Sequence, residues 1–581
     1  MNLLHELNRI GALRVLDDSL AQTLRRLDPT TPNTVLAAAA LASLAVANGH
    51  AALALAQPQR LLDAPLPWPD ADTWQQQLQD SSWVVTPESM QAPAAAAPLV
   101  LENGLLYLRR YREYERRLAQ RLTDLSAQPM AAVSSQLQPL FAQLFPQGAA
   151  AFLETSSAVE DRQAQAAALA MRRALLLITG GPGTGKTTTI AKLLVLRIAQ
   201  AAQAGGAPLR IALAAPTGRA ADRMAESLQR ARLHMRADGI AEEFLAALPT
   251  SASTLHRLLG VIPDSPQFRH NADNPLPFDI VVVDEASMVD LPLMCKLTEA
   301  VATGAQLILL GDPDQLPSVE AGDVLASMLH MQPCRVHLTR GWRQSDTLHL
   351  APLADAMRRG DADATLALLR GETLSNVHYH DGATDPLSAR GLDLIGHYRR
   401  LATHTDPAQA LAQANQVRLL TALRDGPQGA RGLNARIEAQ LTGQHFGKPP
   451  AWFPGRLILM TENSYRHGLF NGDVGICLAD DAGQACVWFA GSDGVRGFHP
   501  ASLPTHESAF AMTVHKAQGS EFEHVVFQLP TRDAKVLTRE LLYTAITRAR
   551  SVLHMAGSAE VIRTALARHS SRISGLAARL A

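Results

Sequence analysis

Eight residues constrain this chain more than any other stretch: Gly180-Gly181-Pro182-Gly183-Thr184-Gly185-Lys186-Thr187 fits the phosphate-loop pattern G-x-x-x-x-G-K-[ST] at every fixed position. Its context fits too. The apolar run Ala174 to Thr179 reads as a buried parallel strand, and Thr188 through Gln200 reads as a helix. Glycines allow successive backbone N–H groups to turn inward around a phosphate, at a helix N-terminus whose dipole favours negative charge. The cofactor implied is ATP or another nucleoside triphosphate, cradled by residues 180–188 including Thr188. Lys186 would reach the β- and γ-phosphates, and the Thr187 hydroxyl would ligate Mg²⁺.

A metal-holding acid is needed on a neighbouring strand, and Ile280-Val281-Val282-Val283-Asp284-Glu285 supplies an apolar run ending in two carboxylates. This is the Walker B pattern: Asp284 would hold Mg²⁺, and Glu285 would accept a proton from the attacking water. Hydrolysis, rather than binding alone, is the expectation. A further core strand, Leu307 to Leu310, runs into Gly311-Asp312-Pro313-Asp314-Gln315, placing the Gln315 amide where a γ-phosphate or its water would be sensed.

At 581 residues the chain exceeds one hydrophobic core, and two to four domains are expected. Lys and Arg number 53 against 54 Asp and Glu, a net charge of −1, so no global basic field advertises nucleic acid and any DNA binding must use a local groove. Cys295, Cys334, Cys477 and Cys486 are scattered, without C-x-x-C or a His at zinc spacing, as in a reduced cytoplasmic protein. Residues 1–20 carry Glu6, Asp17 and Asp18 and no basic start followed by an apolar core, so no signal peptide is expected. Val35 to Ala56 is apolar but contains Ser43, Asn48, Gly49 and His50, which favours an alanine-rich helix pair over a membrane span.

Residues 1–125 are helical in pattern, and Leu105 to Arg117 reads as an aromatic-basic helix lying on DNA or a partner, or else packing its aromatic stripe inside and solvating its arginines. After the phosphate loop an α/β rhythm follows, with strands at Leu209–Ala215, Val417–Ala422, Val525–Leu529 and Val552–Ala556, which implies two parallel-sheet domains. Between 452 and 504, Gly and short apolar runs indicate a small β-rich insertion in the second of them.

Ala215-Pro216-Thr217-Gly218-Arg219-Ala220-Ala221 offers backbone amides, a hydroxyl and an arginine suited to a nucleic-acid phosphate, with Pro216, Thr217 and Arg219 as the contacting residues. Thr513-Val514-His515-Lys516-Ala517-Gln518-Gly519-Ser520-Glu521 and Leu542-Tyr543-Thr544-Ala545-Ile546-Thr547-Arg548-Ala549-Arg550 follow in the second α/β domain. These blocks, in this order over residues 150–565, resemble the motifs of superfamily 1 DNA helicases, and their wording is most similar to RecD-like members of that group.

The resemblance implies an α/β fold of two RecA-like P-loop motor domains, an N-terminal helical domain and an SH3-like β-rich insertion. It divides the chain into a partner-docking domain 1–125, a first motor domain 126–350 and a second 351–581. It implies ATP- and Mg²⁺-dependent movement 5′ to 3′ along single-stranded DNA. It also places Gln163 or Gln165 on adenine, Arg343 near the γ-phosphate, Arg548 as an arginine finger across the cleft, and Thr513, His515 and Lys516 on DNA. His256, in Thr254-Leu255-His256-Arg257, either touches DNA or is a satisfied buried histidine, and the segment containing Phe268-Arg269-His270-Asn271 is either a strand-splitting hairpin or an inert loop.

The short N-terminal region is similar to that of the α subunit of exodeoxyribonuclease V, which implies RecB-like and RecC-like partner subunits in a heterotrimer that repairs double-strand breaks and degrades linear DNA. The alternatives are a free-standing helicase and a non-enzymatic structural subunit. Gly391-Leu392-Asp393-Leu394-Ile395 places an acid in an apolar run, but no Glu-x-Lys follows, so nuclease activity is expected in a partner.

Overall fold

The computed structural model describes residues 3–581 apart from 88–96, 131, 153–160, 340–347, 372, 389–392, 445–449, 465, 481 and 492–493. Two all-parallel sheets organise it. The first has six strands in the order 335–338, 175–180, 306–311, 280–283, 211–215, 253–254. Strand Gln306–Gly311 thus lies between the strand feeding the phosphate loop and the strand feeding Asp284, so three chemically loaded strand ends emerge side by side. Strands buried on both faces need unbroken apolar runs, and Leu175–Gly180, Ile280–Val283 and Gln306–Gly311 are buried at every position.

One face of this sheet is covered by helices Arg162–Ala170, Lys186–Gln203 and Gly218–Ala237, the other by Leu291–Ala300 and Arg109–Ala127. The last is the aromatic-basic segment. Tyr114, Leu118, Leu122 and Leu125 are buried, each leucine contributing about 1.5–3 kcal/mol. Its arginines bond to protein groups: Arg112 to Glu102 at 2.9 Å, Arg117 to Glu299 at 2.6 Å and Arg121 to the Thr298 carbonyl at 3.0 Å. The helix thus packs its apolar stripe as one reading expected, but these three arginines are paired with protein groups rather than solvated.

The helix also starts later than its sequence pattern predicts. Leu105–Leu108 is a strand paired antiparallel with Leu99–Glu102, joined by Asn103 and Gly104 at φ 51 and 72, the two left-handed residues of a tight hairpin. The N-terminal region is therefore helix-dominated with a small four-stranded sheet. Likewise Val35 to Ala56 is one helix, Asn33–Ala47, followed by a turn and the strand Leu53–Ala54 rather than a helix pair. That helix is buried from Val35 to Ala45, and Ser43 bonds the buried Asp17 carboxylate at 2.7 Å. No helix among the described residues is long and apolar enough to cross a membrane.

The second parallel sheet runs 377–381, 549–557, 522–528, 417–421, 511–513. Its edge strand Val377–Asp381 is half-polar and has no counterpart in the sequence expectations. The β-rich insertion is a five-stranded antiparallel sheet spanning Leu457–Ser508, with its own core of Ile458, Met460, Leu469, Cys477, Val487 and Phe489. Its last strand, His506–Ser508, lies beyond the expected limit of 504 because it pairs back on Ile458–Met460.

Candidate functional site

The turn after Leu175–Gly180 requires glycine: Gly183 and Gly185 stand at φ 77 and 84, in the left-handed region. Gly185 is the N-cap of helix Lys186–Gln203, so the helix's free N–H groups face the loop. Lys186 Nζ donates to the Gly180 and Gly181 carbonyls at 2.6 and 3.1 Å, while Thr184 Oγ1 donates to Gly181 at 2.9 Å. Gln163, at the start of its helix, donates from Nε2 to the Thr184 carbonyl at 3.1 Å, whereas Gln165 is buried and accepts from Arg162 at 2.9 Å. Of the two glutamines, Gln163 is the one that touches the phosphate loop.

Pro182, Gly183, Thr184, Gly185, Lys186, Thr187, Thr188, Asp284, Glu285, Gln315 and Arg548 line one cavity of about 250 Å³. Glu285 holds φ 51, an unfavourable angle for a non-glycine residue that costs about 1–3 kcal/mol, and its N–H donates to Asp284 Oδ1 at 2.8 Å. Burial, with the Glu285 charge beside it, pushes the Asp284 carboxyl up to about 6. Two crowded acids beside a threonine hydroxyl suit a divalent cation, which would relieve both burial and repulsion. Thr187 and Asp284, named from the sequence as the Mg²⁺ ligands, line this cavity together.

Gln315 joins the two parallel-sheet domains. Its Nε2 donates to Asp312 at 3.0 Å, and its Oε1 accepts from Arg548 Nη2 at 2.9 Å. Arg548 is 2% exposed and also donates to the Thr544 and Ser520 carbonyls at 3.1 and 3.2 Å. Around this contact, Leu316 N–H donates to Thr544 at 2.9 Å, Gln518 donates to the Leu316 carbonyl at 3.1 Å, and Tyr543 donates to Asp312 at 3.0 Å. The same tyrosine hydroxyl lies 2.9 Å from where a Cβ on Gly181 would sit. Burial, then the Asp312 charge, raises the Tyr543 phenol far above its ordinary range, so it remains a donor.

Strand ends Ala215 and Thr254 are partners, so the Pro216–Thr217 turn and His256 leave the same end of the sheet. Thr217 caps its helix by accepting from Ala220 at 3.3 Å, and Arg219 donates to Ser520 at 3.2 Å across the seam between the two parallel-sheet domains. On the facing side Thr513 accepts from Lys516 N–H at 3.4 Å, Lys516 Nζ pairs with Glu507, and burial lowers the His515 imidazole. The His256 ring packs edge-on against Phe268, 5.7 Å between centroids. Phe268 forms an isolated antiparallel bridge with Val261, giving a short hairpin-like loop. Arg343 lies outside the described residues, as do Gly391 and Leu392. Asp393, their neighbour, caps a helix by accepting from Gly396 at 2.7 Å.

Several residues at the site had no role from sequence. Arg223 lines the same cavity and reaches Glu521 at 2.5 Å and the Gly519 carbonyl at 2.6 Å. It sits four positions after Arg219 on one helix, a spacing that puts both on one face and was the available signal. Tyr543, Asp312 and Thr544 carry no such signal, since their partners are over two hundred residues away for the two hydroxyls.

Three family models match the chain: the N-terminal domain of RecBCD enzyme subunit RecD over residues 9–107, an AAA domain over 163–321, and the UvrD-like helicase C-terminal domain over 508–556. RecBCD enzyme subunit RecD of Mycobacterium tuberculosis is 40% identical over 587 aligned residues, covering 99% of this chain and 96% of that protein. The subunit of the same name from Haemophilus influenzae is 34% identical, covering 83% and 81%. The ATP-dependent RecD2 DNA helicase of Deinococcus radiodurans is also 34% identical, but covers 68% of this chain and 48% of that protein. Among solved structures, Bacteroides Pif1 bound to single-stranded DNA matches with a TM-score of 0.37 at 16% identity, covering 68% and 91%.

Proposed function

The chain belongs to the RecD family of superfamily 1 helicases, and on that premise we propose that it is an ATP-driven motor that moves 5′ to 3′ on single-stranded DNA and unwinds duplex ends as a subunit of a RecBCD-type exodeoxyribonuclease V. Its work is the repair of double-strand breaks by homologous recombination and the degradation of linear DNA in the cytoplasm, with nuclease activity in a partner. The observation that carries the motor reading is the Gln315–Arg548 contact: it joins the second motor domain to the cavity that holds Lys186, Asp284 and Glu285.

In this reading Lys186 neutralises the β- and γ-phosphates and Gln163 reads the adenine edge. Glu285 takes the proton of the attacking water, and Mg²⁺, held by Thr187 and Asp284, would neutralise phosphate charge. Arg548 meets the charge that develops during transfer, with Arg343 supplying a second cation, and Gln315 reports the γ-phosphate to Arg548. Loss of that phosphate loosens the link between the domains. Pro216, Thr217, Arg219 and His256 on one domain, and Thr513, His515 and Lys516 on the other, then shift relative to one another along the DNA backbone, giving a directed step.

The subunit reading is supported by coverage: RecBCD enzyme subunit RecD of M. tuberculosis aligns over 96% of its length, the ATP-dependent RecD2 DNA helicase over 48%. The N-terminal region also exposes four large apolar side chains, Ile10 at 43%, Val15 at 86%, Leu16 at 67% and Leu27 at 69%, which RecB-like or RecC-like subunits would cover. The test is ATP-dependent unwinding by the purified chain of duplexes bearing a 5′ or a 3′ overhang, with Lys186→Gln as control. Unwinding confined to the 5′ overhang is expected. Unwinding from the 3′ overhang would overturn the polarity, and ATP turnover without unwinding would place the helicase step in the assembled complex.

A further inference from the structure

The segment after the last helix of the second motor domain runs back across the molecule. It leaves at Arg568, whose carbonyl accepts from Arg539 N–H at 3.1 Å, and at Ser570, whose N–H donates to Glu540 at 3.0 Å. Glu540 lies in the first turn of the helix that carries Tyr543 and Thr544. Farther along, Ile573 N–H donates to His50 Nδ1 at 3.0 Å, and the Ile573 carbonyl accepts from Ala51 N–H at 2.8 Å. Ser574 and Gly575 then bond the buried Glu115 at 2.6 and 3.1 Å. One short strap touches the second motor domain and the N-terminal region in succession.

Arg572, at the centre of the strap, grips the first motor domain. Its guanidinium donates to the Ser318 and Glu320 carbonyls and to the Gly322 carbonyl at 3.3 Å. It lies flat against the Gly49 turn, where an added Cβ would fall 2.6 Å from Arg572 Cζ, and Gly322 N–H donates to the Gly49 carbonyl at 2.9 Å. The gripped residues 318–322 continue directly from Gln315-Leu316-Pro317, the stretch that contacts Arg548, Thr544 and Gln518.

We propose that Arg572 is a positioning residue for ATP turnover: by fixing residues 318–322 it holds Gln315 against Arg548, and through Gly49–Ala51 it ties that contact to the N-terminal domain. The inference rests on the ATPase reading above. A loop anchored at Arg572 cannot drift, and small misplacements at a reacting centre lower turnover steeply. Binding of nucleotide through the phosphate loop does not pass through this grip, so the effect falls on turnover.

The test compares wild-type full-length chain with Arg572→Lys and Arg572→Gln, measuring DNA-stimulated ATP turnover, ADP affinity and thermal unfolding. Expected is a graded fall in kcat, Lys above Gln, reaching about 10- to 100-fold in Gln. ADP affinity stays within about twofold, because a ground-state contact is not removed. Equal kcat in all three proteins, or a loss that appears in ADP affinity instead of kcat, overturns the proposal. If Arg572→Gln unfolds, Arg572→Lys decides alone: kcat at least about threefold below wild type supports the grip and an unchanged kcat refutes it. A wild-type chain without turnover refutes the proposed function and this inference with it, whereas an active wild type matched by both variants refutes this inference only.

Discussion

Removing one oxygen atom tests the link between the motor domains. Tyr543→Phe keeps the ring and leaves no large cavity, but deletes the hydroxyl that donates to Asp312 at 3.0 Å and abuts Gly181. Asp312 is 1% exposed, so no solvent replaces the lost donor, and among the described residues its carboxylate keeps the bonds from Gln315 at 3.0 Å and Asp314 N–H at 3.1 Å. A hydrogen bond to a charged acceptor is worth about 1.5–3 kcal/mol. If it is realised fully when the domains close for transfer, turnover falls about 10- to 150-fold. Steady-state phosphate release with saturating single-stranded DNA reads kcat, and ADP titration reads ground-state binding. Turnover within about twofold of wild type, in a protein of unchanged melting temperature, would refute the reasoning that the Tyr543–Asp312 bond between the domains supports transfer.

Arg548→Ala should leave ADP binding intact while lowering kcat by about 10³-fold or more, the range of arginine fingers; an unaltered rate would remove Arg548 from the mechanism. Gln163→Ala should raise the KM for ATP about 5- to 20-fold, and Gln165→Ala should not, judged by initial rates at varied ATP; the reverse result would assign adenine to Gln165. Burial depresses the imidazoles of His50, His397 and His554 to about 4 from an ordinary 6.5. The unfolded chain then binds more protons, so stability present above pH 6.5 is lost as pH falls towards 4, by about 1 kcal/mol each at pH 5 after allowing for solvent screening. Asp284 and Asp314, shifted upward, oppose this. The measurement is therefore the drop in melting temperature from pH 7.5 to 5 in wild type against His554→Gln, where a smaller drop is expected and an equal one would contradict the assignment.

What the sequence disclosed was whatever is written locally. The phosphate loop needs glycines at fixed spacing, and the Asp284 and Gln315 strands are unbroken apolar runs, so their convergence follows from a parallel sheet. The Asn103-Gly104 hairpin was equally legible, but the helical spacing of Tyr107, Tyr111 and Tyr114 masked it: Tyr107 belongs to the strand and the other two to the helix. The partners of Tyr543, Arg223 and Arg572 had no such script. Arg572 and Ser318 are 254 residues apart, and no periodicity relates them. Arg219 illustrates the middle ground, since its motif marks it as important while only the fold reveals its bond to Ser520.

The bond between His50 and Ile573 joins residues 523 positions apart. During synthesis the N-terminal helices emerge first, and at about 5–20 residues per second they wait roughly half a minute to two minutes for the segment that completes them. Throughout that interval Ala51, Val100, Tyr107 and Tyr114, which share a core with Ile573 and Leu576, lack their cover. A chain interrupted between the first parallel-sheet domain and residue 573 would carry a finished phosphate loop beside an unfinished N-terminal face, open to chaperones and proteases. The arrival of Ile573 and Leu576 is thus registered on a face made some five hundred residues earlier, and a cell that inspects that face inspects both ends of this interaction at once.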